Sequence, residues 1–522
     1  MSRYAKMVKK RDRWRTKTKI ANTQVHYISR EIRRVKRERG QYKKDLRETR
    51  KALEELKQQR ATPAVCNKAG AVFLALQLFL VARISFRAVS RVLAVFAPLL
   101  GWAKPPCPQT VMNWVTRLSL ARMMGRLSPV PSGGPLFPGG FVLLLDASIG
   151  LGQGKILTVL ALDSRHHGLN QGAPSLKQVL CVAVAVADTW TGETIAVLLR
   201  AVIAQIGTPV AYLKDGGSDL GKAVRLVSAP DAPGVTIDDI SHVVANLLKH
   251  VFASHPQFEV FLRACGAVSR RLKQTILACL APPKVSTKAR FMNLLRLVTW
   301  AAGILKQSPR GRAAHGSLLQ KLRESLDPLP QCRRFIQEFL QNAEPLIECQ
   351  KILKTQGLSQ KSFEECRPLI ATLPHPGIRL SFMDWLNHHL AIANTLGLQD
   401  IGMPISSDSI ESLYGVAKRH GTGEIKDANR IALRIPALCG EPTRQEAEKV
   451  LDISVKEQQQ WVGSFPSLVK QRRDVFAQGG SLDAIKDNAA HPNITLIAGS
   501  KNPQKSGYLI DNPVYIAKGG DP

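Results

Sequence analysis

The chain has 522 residues, with 73 Lys and Arg against 40 Asp and Glu and a formal charge of +33. That length exceeds what one core usually supports, and so large a positive excess argues for a polyanionic partner. Nine scattered cysteines without a C-x-x-C pair exclude a disulfide scaffold and a zinc ribbon, and the apolar stretch Ala69 to Ala82, interrupted at Gln77, is too short to span a bilayer. The opening twenty residues are basic and lack an apolar signal region, so a cytoplasmic, nucleoid-associated protein of bacterial type and no membrane partner are expected.

Residues 1–60 hold 22 Lys and Arg against 7 Asp and Glu. Within them Val25, Ile28, Ile32, Val35, Tyr42, Leu46, Leu53 and Leu56 alternate spacings of three and four, with Arg39 and Thr49 in the remaining seam places. That pattern predicts a basic helix pairing as a coiled coil, hence a homodimer or higher oligomer. Arg33, Arg34 and Arg37 are its candidate phosphate contacts, because each phosphate neutralised releases counterions.

Residues 61–130 are apolar and helical in pattern, broken by Pro63, Pro98, Pro105, Pro106 and Pro108. Ser85 to Leu93 makes one helix and Pro108 to Leu118 a later one. On the later helix Thr110, Asn113, Thr116 and Arg117 form a polar side above Val111, Trp114, Val115 and Leu118. This arrangement resembles a helix-turn-helix whose last helix enters the major groove, and it makes those four polar residues candidate DNA contacts.

From residue 137 the pattern changes. Phe141 to Leu145 is a buried strand ending in Asp146, Lys155 to Asp163 a second and Val179 to Ala187 a third. An amphipathic helix, Thr194 to Ile206, leads to a fourth strand, Pro209 to Leu213, which closes in Lys214-Asp215-Gly216-Gly217. Val235 to Ile240 is a fifth strand, with His242 to Phe252 as the helix after it. A carboxylate at the tip of a buried strand is costly unless paired or bound to a cation, so Asp146 and Asp215 stand out as candidate metal ligands.

Three strands, a helix and a strand, with an Asp ending the first and the fourth strands, resemble the ribonuclease-H-like core of DDE transposases and integrases. The resemblance implies that those two strands are neighbours, bringing together residues 69 apart in sequence. A third carboxylate would complete an oxygen cage for Mg²⁺ or Mn²⁺, as two ions. The candidate is Glu411, in Ser406-Ser407-Asp408-Ser409-Ile410-Glu411, on a helix with Ile410, Leu413, Val416 and Ala417 as its apolar face. Glu411 and Lys418, separated by six residues, resemble the tail of the IS4-like signature, where Lys418 would reach a DNA phosphate. The Tyr and Arg which that signature carries upstream fall here on Pro404 and Ser407. Asp239-Ile240-Ser241-His242 resembles the D, two residues, H motif of the IS256, Mutator and hAT groups, which implies a place for His242 near the scissile bond.

Between Asp215 and Glu411 lie far more residues than this core needs. The excess, Pro256 to Pro404, is rich in Leu, Gln, Lys, Arg and Glu at helical spacing and reads as an all-helical insertion. In several relatives such an insertion contacts DNA ends, so Trp300 and Trp385 are candidate base-stacking residues, with burial in a helical core as the alternative. Residues 405–430 carry the last core helix, and 431–522 read as helical and then as an extension with short apolar runs at Asn493 to Ala498 and Tyr508 to Ile516.

The expectation is a multidomain α and α/β protein: basic coiled coil, helix-turn-helix, and a ribonuclease-H-like mixed sheet interrupted by a helical insertion. The implied function is a DDE-type DNA transposase that binds double-stranded terminal inverted repeats and joins their 3′-hydroxyl ends to target DNA. A metal-dependent nuclease or resolvase of the same fold, and a non-catalytic DNA-binding protein, remain open at this point.

Overall fold

A computed structural model describes residues 67–100, 102, 104–123, 137–148, 154–169, 172–228, 234–285, 290–306, 312–419, 428–462 and 495–497, together with scattered positions in the first fifty and residue 473. Residues 1–71 with 100–102 form one unit, and residues 72–99 with 103–522 the other. In the first, Arg34, Val35, Tyr42 and Leu46 are helical and exposed. The remaining expected seam positions before residue 61, apart from Arg39 and Thr49, lie outside the described residues, as do Arg33 and Arg37.

The second unit is built on a mixed sheet. Its elements run α1 (Lys68–Leu76, which begins in the first unit), α2 (Phe86–Phe96), α3 (Pro108–Met123), β1 (Phe141–Ser148), β2 (Lys155–Asp163), α4 (His166–Leu169), β3 (Val179–Ala187), α5 (Gly192–Ile206), β4 (Ala211–Lys214), α6 (Ser218–Val227), β5 (Thr236–Asp238) and α7 (Ile240–Phe252). The strand order is β5-β4-β1-β2-β3, with a three-residue strand β6 (Thr495–Ile497) on the outer edge of β3. β1 pairs antiparallel with β2 and β2 with β3, whereas β1, β4 and β5 are mutually parallel. This mixed sheet within mostly helical surroundings is compatible with a ribonuclease-H-like transposase core.

Alternation along the strands gives the sheet two apolar faces. Phe141, Leu143, Leu145, Leu157 and Val159 pack against α5 and α6. Val142, Leu144, Ile156 and Leu160 belong to the larger core that includes α3, α7 and everything downstream. Helix α5 starts where Thr191 and Thr194 cap each other reciprocally, and α7 starts at the side chain of Asp239.

Between α7 and the last core helix the chain is helical: α8 (Phe258–Lys273), α9 (Arg290–Lys306), α10 (Leu318–Leu326), α11 (Arg333–Gln356), α12 (Gln360–Ala371) and α13 (Pro376–Thr395). Helix α11 stops at Gly357, whose φ of 71° suits a residue without Cβ. Leu358 and Met403 then exchange two backbone hydrogen bonds of 2.8 Å, tying the exit of α11 to the segment that enters α14 (Asp408–Arg419). The chain closes with α15 (Ala428–Ala432), α16 (Ile435–Leu438), α17 (Arg444–Asp452) and α18 (Val455–Val462).

These closing helices correct the expectation for α3. Thr116 is buried, and the polar residues beside it are engaged within the chain: Arg117 Nε donates to Gln458 Oε1 at 3.1 Å and Gln458 Nε2 to Asn113 Oδ1 at 2.8 Å. Thr110 is half-buried, with its hydroxyl 3.2 Å from Cys107 Sγ. One turn on, Arg122 forks onto Glu446 at 2.7 and 3.0 Å and donates to the Pro436 carbonyl at 3.0 Å. The polar side read as a DNA-facing surface is therefore the docking surface for α17 and α18.

Candidate functional site

The site is assembled at one end of the sheet. In the β1–β4 pair the last register partners are Leu145 and Lys214, so Asp146 and Asp215 are the next residue of each of two parallel neighbours. Both are half-buried. Burial, then the charges of Asp215 and Glu411, push the Asp146 carboxyl up to about 6, against the opposing pull of the Ala147 amide and His242.

Helix α14 brings the third carboxylate. The Tyr414 hydroxyl donates to the Asp146 carbonyl at 2.9 Å, with the Ile156 carbonyl 3.3 Å away, which pins α14 across β1 and β2. Glu411 lies one turn before Tyr414 on that helix and is exposed. Its carboxyl is raised from the usual range by the protein mass around it and by Asp408 and Asp239, while His242 and Lys354 oppose the rise. Lys418, two turns after Glu411, sits with Nζ 5.5 Å from the centre of the Tyr414 ring. Burial lowers its ammonium below the usual lysine range, and the negative charge of Asp146 opposes that.

His242 and Asp239 form the opposite wall. Asp239 is 1% exposed, yet its Oδ1 accepts the Ser241 and His242 amides at 2.8 and 3.0 Å, and its Oδ2 accepts the Ser407 amide and hydroxyl at 2.6 and 2.8 Å. Burial alone would raise this carboxyl. The hydrogen bonds from His242 and Ser407 outweigh it and hold Asp239 down to about 2. His242 Nδ1 lies 3.2 Å from Asp239 Oδ1, and that bond, together with the charges of Asp239, Asp215 and Glu411, lifts the imidazole to about 9 against the effect of burial. His242 is therefore an imidazolium at neutral pH, beside the carboxylates.

A cleft of about 510 Å³ opens at the foot of α14, lined by residues that include Asn293, Gln350, Lys354, Asp408 and Glu411. Its floor is a polar chain: Gln350 Nε2 donates to Ser241 Oγ at 3.0 Å, Ser241 Oγ to Asp408 Oδ1 at 3.3 Å, and Lys354 Nζ lies 2.6 Å from Asp408 Oδ2. Helix α11 of the insertion is thereby fastened to the start of the Glu411 helix.

Asp146, Asp215, Glu411, His242 and Lys418 thus lie within electrostatic reach of one another. Among the described residues, however, no three His, Cys, Asp or Glu side chains converge closely enough to form a metal-holding group. The donor chemistry still suits a hard divalent cation, since two carboxylates whose proximity raises a pKa are relieved by a cation between them. Trp300 and Trp385 are half-buried against the helical core: Trp300 Nε1 donates to the Leu280 carbonyl at 3.1 Å, and the Trp385 ring stacks on Phe382 at 5.8 Å. Ser407 and Tyr414 were not singled out by sequence reasoning, and Asp239 entered only as part of a motif.

No family model matches the chain, and no curated protein does. Among solved structures it is similar to the Drosophila P element transposase strand transfer complex, with a TM-score of 0.38 and 13% identity across 72% of this chain and 92% of that one. Fold and site together define a mixed α/β protein with a cluster of carboxylates at the ends of two parallel central strands. No helix among the described residues is long and apolar enough to cross a membrane.

Proposed function

We propose that the protein is a DDE-type DNA transposase, which cleaves DNA at the ends of its element and joins the freed 3′-hydroxyls to target DNA. The observation that carries this reading is the meeting of Asp146 and Asp215 on parallel neighbours, with the Glu411 helix pinned to the Asp146 carbonyl by Tyr414. Asp146, Asp215 and Glu411 would hold Mg²⁺ or Mn²⁺, which supplies acidified water and stabilisation of the leaving oxygen. In the first step water attacks the scissile phosphorus and the P–O bond to the 3′ oxygen breaks. In the second, that 3′-hydroxyl attacks a target phosphate. The His242 imidazolium stabilises charge on the phosphate oxygens and supplies a proton toward the leaving oxygen, and Lys418 orients a phosphate from α14. Joining two ends requires at least a dimer on double-stranded DNA.

Incubation of the purified protein with DNA flanking its own coding region and Mg²⁺ or Mn²⁺, with end mapping, tests this. Discrete cuts at inverted repeats and joined products are expected, abolished in Asp146→Asn, Asp215→Asn and Glu411→Gln while binding persists. Cuts without joining would make it a nuclease. Binding without metal-dependent cleavage would make it a DNA-binding protein.

A further inference from the structure

We infer that the Thr158 hydroxyl is a positioning group for the Asp146 carboxylate, an inference that rests on the catalytic reading above. Thr158 is the one polar residue inside the apolar run of β2, from Ile156 to Leu162. In the antiparallel register it stands directly opposite Asp146 on β1. Directly opposed residues of an antiparallel pair project to the same face, about 5 Å apart at Cβ. That face is the one α14 covers, since Leu144, Ile156 and Leu160 share a core with Leu413, Tyr414 and Ala417.

Thr158 is wholly buried, and its Oγ1 has no hydrogen-bond partner within the protein. A buried hydroxyl left unpaired is uncommon and calls for a physical reason. The groups around it offer no other partner in register: Ile156 and Leu160 flank it on its own strand, and Val184 faces it from β3. The Tyr414 hydroxyl of the covering helix is already committed to the Asp146 and Ile156 carbonyls. Asp146 is the polar side chain that remains. A β-branched threonine has few χ1 choices, so its hydroxyl is a stiff donor suited to fixing one carboxylate orientation. The bond strengthens when Asp146 carries full negative charge, as it must to hold a cation, so the hydroxyl favours the ligating state over the resting one.

The test compares wild type, Thr158→Val, Thr158→Ser and Asp146→Asn in two readouts: the gain in melting temperature on adding Mn²⁺, and the Mn²⁺ concentration for half-maximal DNA cleavage. Valine keeps the shape and removes the unpaired hydroxyl, so Thr158→Val is expected to melt no lower than wild type without metal. Its Mn²⁺ requirement is expected to rise about 10- to 100-fold, the usual consequence of removing a group that orients a metal ligand. Thr158→Ser, with the hydroxyl restored, is expected to recover most of that loss. If valine disturbs folding, Thr158→Ala replaces it in the comparison with serine. A valine or alanine variant with wild-type Mn²⁺ dependence overturns the inference, as does a serine variant equally impaired, which would assign the effect to packing. If wild type itself shows neither a Mn²⁺-dependent melting gain nor cleavage, the catalytic reading fails and the inference falls with it. A responsive wild type with an unaffected valine variant removes this inference alone.

Discussion

Asp146 stands where burial and two like charges disfavour its ionised form, and Asp239, equally acidic and more deeply buried, stands where four donors favour it. The two should answer pH in opposite directions. The folded carboxyl of Asp146 titrates at about 6 against an ordinary 3.8, so its stabilising contribution is complete below about 3.8 and is lost as pH rises through 6. Asp146→Asn should therefore be more stable than metal-free wild type at pH 7, by on the order of 2 kcal/mol, and the advantage should vanish near pH 4. Urea unfolding of both proteins across that range measures it. Asp239, held down to about 2, contributes stability above about 3.8 that is lost as pH falls through 2. Removing one partner from a buried charged network costs about 3 kcal/mol. Asp239→Asn should lose about that much at pH 7, and a histidine-resolved NMR titration should find His242 moving down from about 9 toward the ordinary imidazole range. The carboxylates of Asp146 and Asp215 were visible in the sequence because each interrupts an apolar run at its end. The role of Asp239 was not, because its partner Ser407 is 168 residues away and no local spacing encodes that bond.

At the scale of elements, legibility followed how much of the determining physics is local. The runs Lys155–Asp163 and Val179–Ala187 are continuous and apolar, and the strands have those bounds. The fifth strand reads from sequence as Val235 to Ile240 but pairs only over Thr236–Asp238, because Asp239 leaves the ladder to cap α7, which consequently begins at Ile240 rather than at His242. The polar side of α3 was misread for a different reason: periodicity identifies a polar face but not what covers it, and here Gln458, about 340 residues downstream, takes Asn113 and Arg117. The junction of α14 with β1 depends on one hydroxyl. Tyr414→Phe keeps the ring in the core and removes the bond to the Asp146 carbonyl, so a loss of about 1 kcal/mol in stability is expected. Cleavage should fall by more than that figure alone implies, about 10-fold or greater, because the same bond sets where Glu411 stands relative to Asp146. Equal losses in folding and in cleavage would reduce Tyr414 to a packing residue.

The whole molecule divides its charge unevenly, with 22 of its 73 basic residues in the first 60 positions and the candidate catalytic carboxylates far downstream. A site that gathers negative charge repels a DNA backbone until cations neutralise it, so attraction for DNA must come from elsewhere in the chain. The N-terminal segment has the density for it, and Arg34 is exposed there. Affinity that comes from neutralised phosphates falls with salt in proportion to their number, by roughly 0.9 in log–log slope for each contact to double-stranded DNA. Replacing Arg33, Arg34 and Arg37 together by Gln should then reduce the slope by about 2.7 if all three contact phosphate, and weaken binding to all sequences alike. The same variant should melt as wild type does and keep its Mn²⁺ response, since none of its changes touches the sheet or α14. A salt slope unchanged in the triple variant would move the phosphate contacts to the basic residues downstream of position 60. A changed sequence preference with an unchanged slope would instead mean that these arginines read bases.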